Sequence, residues 1–110
     1  MEKRDSFQLT TLRSEQRNTV YIQGELDLSK VGELRSVLDC LIADTGRELV
    51  LSLKELTYID STGIGVIVSV LKARDVLQAS FRVENVPPNI KRLFDMTGLT
   101  KFLRMDTVEA

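Results

Sequence analysis

The run IGVIVSVL at residues 64–71 is apolar almost all the way round a helix. Ile64, Ile67, Val68 and Leu71 mark one face, and Val66 and Val70 widen it until little polar surface is left. Such a helix has to be covered on most sides near its start, and a lone amphipathic packing partner does not suffice. The stretch before it supplies the cover: ELVLSL (48–53) is short, aliphatic and bounded by charges, as a buried strand would be. A strand feeding a buried helix is the unit from which layered α/β folds are made.

The remaining chain repeats that alternation. FQLTTL (7–12) and TVYIQGEL (19–26) are rich in β-branched and aromatic residues, with the polar SEQRN between them, and predict two strands joined by a short connection. From Ser29 the spacing turns helical through Val31, Leu34, Val37, Leu38, Leu41 and Ile42, with Ser29 placed to cap the start and Gly46 to close the end. KELTY (54–58) reads as a loop, and KARD (72–75) as the polar end of the apolar helix. SFRVENV (80–86) alternates as a strand. Pro88 suits a helix first turn, Ile90, Leu93 and Phe94 give that helix its face, and Gly98 ends it. KFLRM (101–105) is a short strand or a helix start. The order β-β-α-β-α-β-α predicts one domain over residues 1–110, with a mostly parallel or mixed sheet covered by helices.

Composition narrows the chemistry. The chain has no histidine and one cysteine, so Ser-His-Asp, Cys-His and the usual zinc sites cannot be built from it. No cofactor or metal is expected. Fifteen basic residues against sixteen acidic, spread along the chain, give no basic stripe for nucleic acid. No apolar segment is long enough for a membrane span, and the first ten residues contain no signal-peptide core. Together with the single cysteine this predicts a cytoplasmic protein, and Cys40, on the apolar side of its helical pattern, is expected to be a buried structural thiol.

The segment DSTG (60–63) stands between the strand and the apolar helix, where α/β folds place their sites. A dinucleotide fingerprint fails because its third glycine would fall on Val68, and a P-loop fails because no lysine follows until Lys72. Asp-Ser-Thr-Gly is also one residue too long for the Asp-Thr-Gly of a half-size aspartic protease. Asp60 or Ser61 can serve as N-cap, but a cap alone does not call for Ser61 and Thr62 together, nor for both Gly63 and Gly65 in the first turn. A modifiable serine does account for them. A phosphate on Ser61 would meet free N–H groups at a helix N-terminus and add about −1.5 to −2 charges beside Asp60, against any docked partner. On this reading the glycines give access rather than packing.

YIDSTGIGVIV (58–68), the upstream GELD (24–27) and the downstream NIKRLFDMTGL (89–99) together resemble the anti-sigma factor antagonists, which are single STAS domains, over about residues 7–105. The resemblance implies a mixed sheet with helices packed mainly on one side. It also implies a non-enzymatic partner switch: the unphosphorylated protein binds an anti-sigma factor, itself a serine kinase of the histidine-kinase-like ATPase fold, and so frees a sigma factor. Phosphorylation of the serine after the motif aspartate, here Ser61, ends the complex, and a PP2C-type phosphatase resets it. By the same resemblance Asp27 contributes to kinase contact (a turn or N-cap role is the alternative), Asp60 organises the loop and Thr62 is the unmodified second hydroxyl. Gly63 and Ile64 complete the partner-binding set, Ile64 as apolar area at its rim. Two other functions stay open, a small nucleotide-binding or NTP-hydrolysing protein and a scaffold subunit of a sensory complex.

Overall fold

The structure, a computed structural model, describes residues 7–103 and the backbone of 105–107. Its elements are β1 (Gln8–Arg13), β2 (Arg17–Leu26), α1 (Val31–Ile42), β3 (Glu48–Ser52), β4 (Leu56–Ile59), α2 (Ser61–Val76), β5 (Phe81–Val86), α3 (Pro88–Thr97), a 3-10 turn (Leu99–Lys101) and β6 (Met105–Thr107). The sheet runs β1-β2-β3-β5-β6, with β4 also beside β2. β1 and β2 form an antiparallel hairpin, and every other pairing is parallel. The sheet is therefore mixed, as expected.

The pleat sorts the two faces. Val20, Leu51 and Val83 stand side by side in register, fully buried, and join Leu34 and Leu38 of α1, Val66, Ile67 and Val70 of α2, and Ile90 and Phe94 of α3 in a single core. Each such side chain contributes about 1.5–3 kcal/mol when fully buried. The alternate positions Tyr21, Ser52 and Glu84 line up on the other face, where Glu84 pairs with Arg82 and Arg17. The helices thus cover one side of the sheet.

Gly24 lets β2 serve two parallel partners. Residues 17–21 pair with β3; the register then shifts between Gly24 and Glu25, and Gly24–Leu26 pair with β4. Gly24 takes φ +94°, open to glycine at little cost. Its N–H donates to the Glu55 carbonyl at 3.0 Å, and the Thr57 hydroxyl donates to the Gly24 carbonyl at 3.1 Å. The bend brings the ends of β2 and β4 together.

Several local expectations need correction. KELTY is not simply a loop, because Leu56–Ile59 is a strand; with only Leu56 and Ile59 buried, four residues show no alternation to read. The first residue of the α1 cap is Lys30, not Ser29, since the Asp27 carboxylate holds the Ser29 N–H at 3.0 Å and its hydroxyl at 2.6 Å. That helix closes at Ala43, before Gly46. Cys40 is exposed, two residues and so about 200° around the helix from the buried Leu38. The largest departure is in KARD: Arg74 is fully buried. Its guanidinium donates to the carbonyls of Leu41, Ile42, Asp44, Arg47 and Ser80 at 2.6–3.4 Å. Pro88 and Gly98 behave as read, at the first turn of α3 and, with φ +78°, at its left-handed end. Of the segment 101–105, Lys101 closes the 3-10 turn and Met105 starts β6, and Arg104 lies outside the described residues.

Candidate functional site

Leu26 and Ile59 are register partners at the ends of β2 and β4, so Asp27 and Asp60 leave adjacent parallel strands together. The Asp60 N–H donates to the Leu26 carbonyl at 3.3 Å, which ties the two exits. This junction joins GELD and DSTG, far apart in sequence, into one place.

Asp60 is the N-cap of α2. Its backbone is extended, and its Oδ1 accepts from the N–H groups of Thr62 at 3.0 Å and Gly63 at 3.1 Å. The Thr62 hydroxyl donates to the same oxygen at 2.5 Å. These bonds, the Thr62 hydroxyl foremost and a Leu28 backbone bond among them, hold the Asp60 carboxyl below the usual carboxylate range. Asp27 is lowered too, first by the Ser29 hydroxyl and also by Lys30, whose Nζ lies 3.6 Å away. Both stay ionised at neutral pH.

The two candidate hydroxyls are not equivalent. Ser61 is the first residue of α2, exposed, and its hydroxyl makes no hydrogen bond among the described residues. Thr62 is half-buried and bonded to Asp60. Only the Ser61 hydroxyl is free to meet a reagent. One expectation fails here: the Thr62 and Gly63 N–H groups are already taken by Asp60 and are not free for a phosphate. A phosphate on Ser61 would still sit at the positive end of the helix dipole, but beside a fixed carboxylate, and would project outward.

The two glycines also part company. A Cβ on Gly63 would lie 2.7 Å from Ile59 Cγ1 and 3.0 Å from Leu26 Cγ, so this buried glycine serves close packing of α2 on the strand ends. That is opposite to the access role expected from sequence. Gly65 is exposed with nothing within 4 Å of a Cβ, and it does leave bare backbone on the surface. Ile64 is half-buried and begins an apolar groove of about 450 Å³, walled by Val68 and Leu71 on one side and Leu99 and Phe102 on the other. Sequence reading missed the groove, whose far wall comes from 97–102, and it missed Leu28. Leu28 is 69% exposed between Asp27 and Ser29, and an isolated leucine in a polar turn was the available signal. No cluster of three metal-ligating side chains occurs among the described residues, and no helix there could cross a membrane.

A family model of the STAS domain matches residues 10–110. An anti-sigma-B factor antagonist of Staphylococcus aureus is 36% identical over 87 residues, covering 79% of this chain and 81% of that protein. The chain belongs to the STAS-domain anti-sigma factor antagonists. The Bacillus subtilis anti-sigma-B factor antagonist is 41% identical over 80 residues, 73% of this chain and 72% of that one. Among solved structures, an anti-sigma factor antagonist from Mycobacterium paratuberculosis superposes with a TM-score of 0.85 at 21% identity, covering 96% of this chain and 90% of that one. SpoIIAA in its unphosphorylated form gives 0.75 at 20% identity, covering 94% and 89%. These structural likenesses are to the fold. The STAS family, its mixed sheet and one-sided helices agree with the resemblance read from DSTG, GELD and NIKRLFDMTGL.

Proposed function

We propose that this STAS domain is a phospho-switched antagonist: unphosphorylated, it binds an anti-sigma factor that is also its serine kinase, and phosphate on Ser61 ends the complex. The observation carrying this reading is the contrast between adjacent hydroxyls, Ser61 exposed and unbonded, Thr62 held by Asp60 at 2.5 Å. A kinase of the histidine-kinase-like ATPase fold would reach Ser61 across Asp27, Leu28 and Gly65, and a PP2C-type phosphatase would remove the phosphate. Asp60 holds the loop from behind and meets the partner only at its edge. Gly63, being buried, supports the site from within.

The switch is electrostatic. Asp60 is ionised beside Ser61 while Asp27 is answered by Lys30 at 3.6 Å, so a phosphate adds charge that a partner fitted to the unphosphorylated surface does not answer. The protein supplies the acceptor and no catalytic group, so it acts as a binding module in the cytoplasm. Incubation with the kinase and ATP should add one phosphate, and fragment mass spectrometry should place it on Ser61. Phosphate on Thr62 would sink the assignment. In titrations with ADP present, Ser61→Ala should keep near wild-type affinity. Ser61→Asp should lose about 10–100-fold, as expected of an unpaired charge pressed into an interface. Equal affinities for the two variants would remove the charge mechanism.

A further inference from the structure

α2 is apolar on two separate faces. Val66, Ile67 and Val70 are spent in the core, whereas Ile64, Val68 and Leu71 form a second stripe left half-buried along the groove. Phe102 closes the other wall with 69% of its surface exposed. Lys72 and Asp75 stand on the rim, one charge of each sign, and neither makes an ion pair among the described residues. An open groove edged by a helix, with apolar positions at i, i+4 and i+7 and polar groups at its end, has the form that takes an amphipathic helix.

The groove starts one helical turn from Ser61 and is continuous with it along α2. From Ser61 to Asp75 is about 21 Å of helix axis. A standard protein interface covers roughly 800 Å² per partner, a patch about 30 Å across. A footprint of that width with Ser61 toward one edge spans the distance to Asp75, so one partner is large enough to cover both. We propose that the groove between α2 and the 97–102 segment is the anchoring half of the anti-sigma-factor interface. It takes an amphipathic helix of that protein, with an acidic group facing Lys72 and a basic one facing Asp75. This rests on Ser61 as the switch and adds a second place where affinity resides: the groove supplies apolar area, and the Ser61 surface supplies the charge that phosphate disrupts.

The test is a binding titration, with ADP, against the purified anti-sigma factor that phosphorylates Ser61, using Phe102→Glu, Leu71→Glu, Ser61→Asp and, on the distant β1, Leu12→Glu. Phe102 and Leu12 are both well exposed, so these two variants should keep the wild-type circular dichroism spectrum and thermal midpoint. Phe102→Glu and Leu71→Glu should each weaken binding about 10–100-fold, with Leu12→Glu unchanged. Wild-type affinity for the folded Phe102→Glu while Ser61→Asp loses affinity would overturn the groove and leave the switch standing. The reverse pattern would keep the groove and overturn the switch. Sedimentation showing that the free protein self-associates, and that Phe102→Glu abolishes this, would assign the groove to a second copy and overturn the proposal.

Discussion

The two ends of α2 are built in opposite ways. At its N-terminus a single carboxylate, Asp60, takes the Thr62 and Gly63 N–H groups and the Thr62 hydroxyl, and leaves Ser61 out in solvent. Near its C-terminus Arg74 is fully buried and knits together the last turn of α1, the segment into β3 and the residue before β5. The carbonyls of Leu41 and Ile42 belong to that last turn, where a helix presents partial negative charge, so the guanidinium is held by the dipole as well as by its bonds. The contrast teaches how a surface hydroxyl can be both exposed and fixed. One end is clamped in the interior, and the other is capped locally and left open.

The clamp should break first. Arg74→Met removes the guanidinium from five carbonyls. Those of Leu41, Asp44 and Ser80 keep a backbone N–H, those of Ile42 and Arg47 lose this donor, and the change is expected to cost about 2–4 kcal/mol in urea unfolding. Arg74→Lys keeps the charge but cannot reach all five, and should recover only part. A loss below about 1 kcal/mol for Arg74→Met would show that the clamp carries little of the fold.

Gly63→Ala comes next, because its methyl group would press on Ile59 Cγ1 and on the Leu26 branch carbon, Cγ. A loss of about 1–3 kcal/mol is expected, with a matching fall in thermal midpoint. An unchanged midpoint together with weakened partner binding would restore the access role.

Gly65→Ala sharpens the contrast with Gly63. With open space around its Cβ, it should stabilise α2 by about 0.4–1 kcal/mol. If partner binding nevertheless weakens, the bare backbone at Gly65 is part of the interface. A destabilised Gly65→Ala would show that the first turn tolerates no side chain.

The smallest effect concerns acid. Asp27, Asp44, Asp60 and Asp95 all have depressed carboxyl pKa values in the folded protein. Each contributes stability that is complete above the ordinary value of about 4 and is lost as the pH falls through the lower folded value. With no histidine, no side chain has an ordinary pKa between about 5 and 8. Thermal midpoints should therefore be flat from about pH 6 to 8 and fall below about pH 4. Asp60→Asn keeps a cap but removes one titration, so its acid loss should be smaller. A midpoint that drifts between pH 6 and 8 would contradict this account.

How much of the site was legible depended on the range over which each residue acts. Asp60, Ser61 and Gly98 were readable because a cap, a helix start and a left-handed close are local, and their chemistry is complete within three or four residues. Ile64 to Leu71 announced a covered helix because a run apolar nearly all round has no polar face to give to solvent. Gly63 and Gly65 look alike in sequence and differ only in what lies opposite them, Ile59 and Leu26 in one case and solvent in the other. β4 was hidden because four residues cannot display a period, and Arg74 because nothing local marks a charged residue as buried.

By itself the sequence determined the element order apart from β4, the aliphatic core, the absence of histidine chemistry and the serine at the head of the apolar helix. Tertiary structure alone decided three things. The bend at Gly24 set Asp27 beside Asp60, the approach of the 97–102 segment to α2 made a groove, and the carbonyls of α1 drew Arg74 into the interior. Each of these depends on distances between segments remote in the chain. Local propensity and periodicity carry no information about such distances until the sheet has fixed its register.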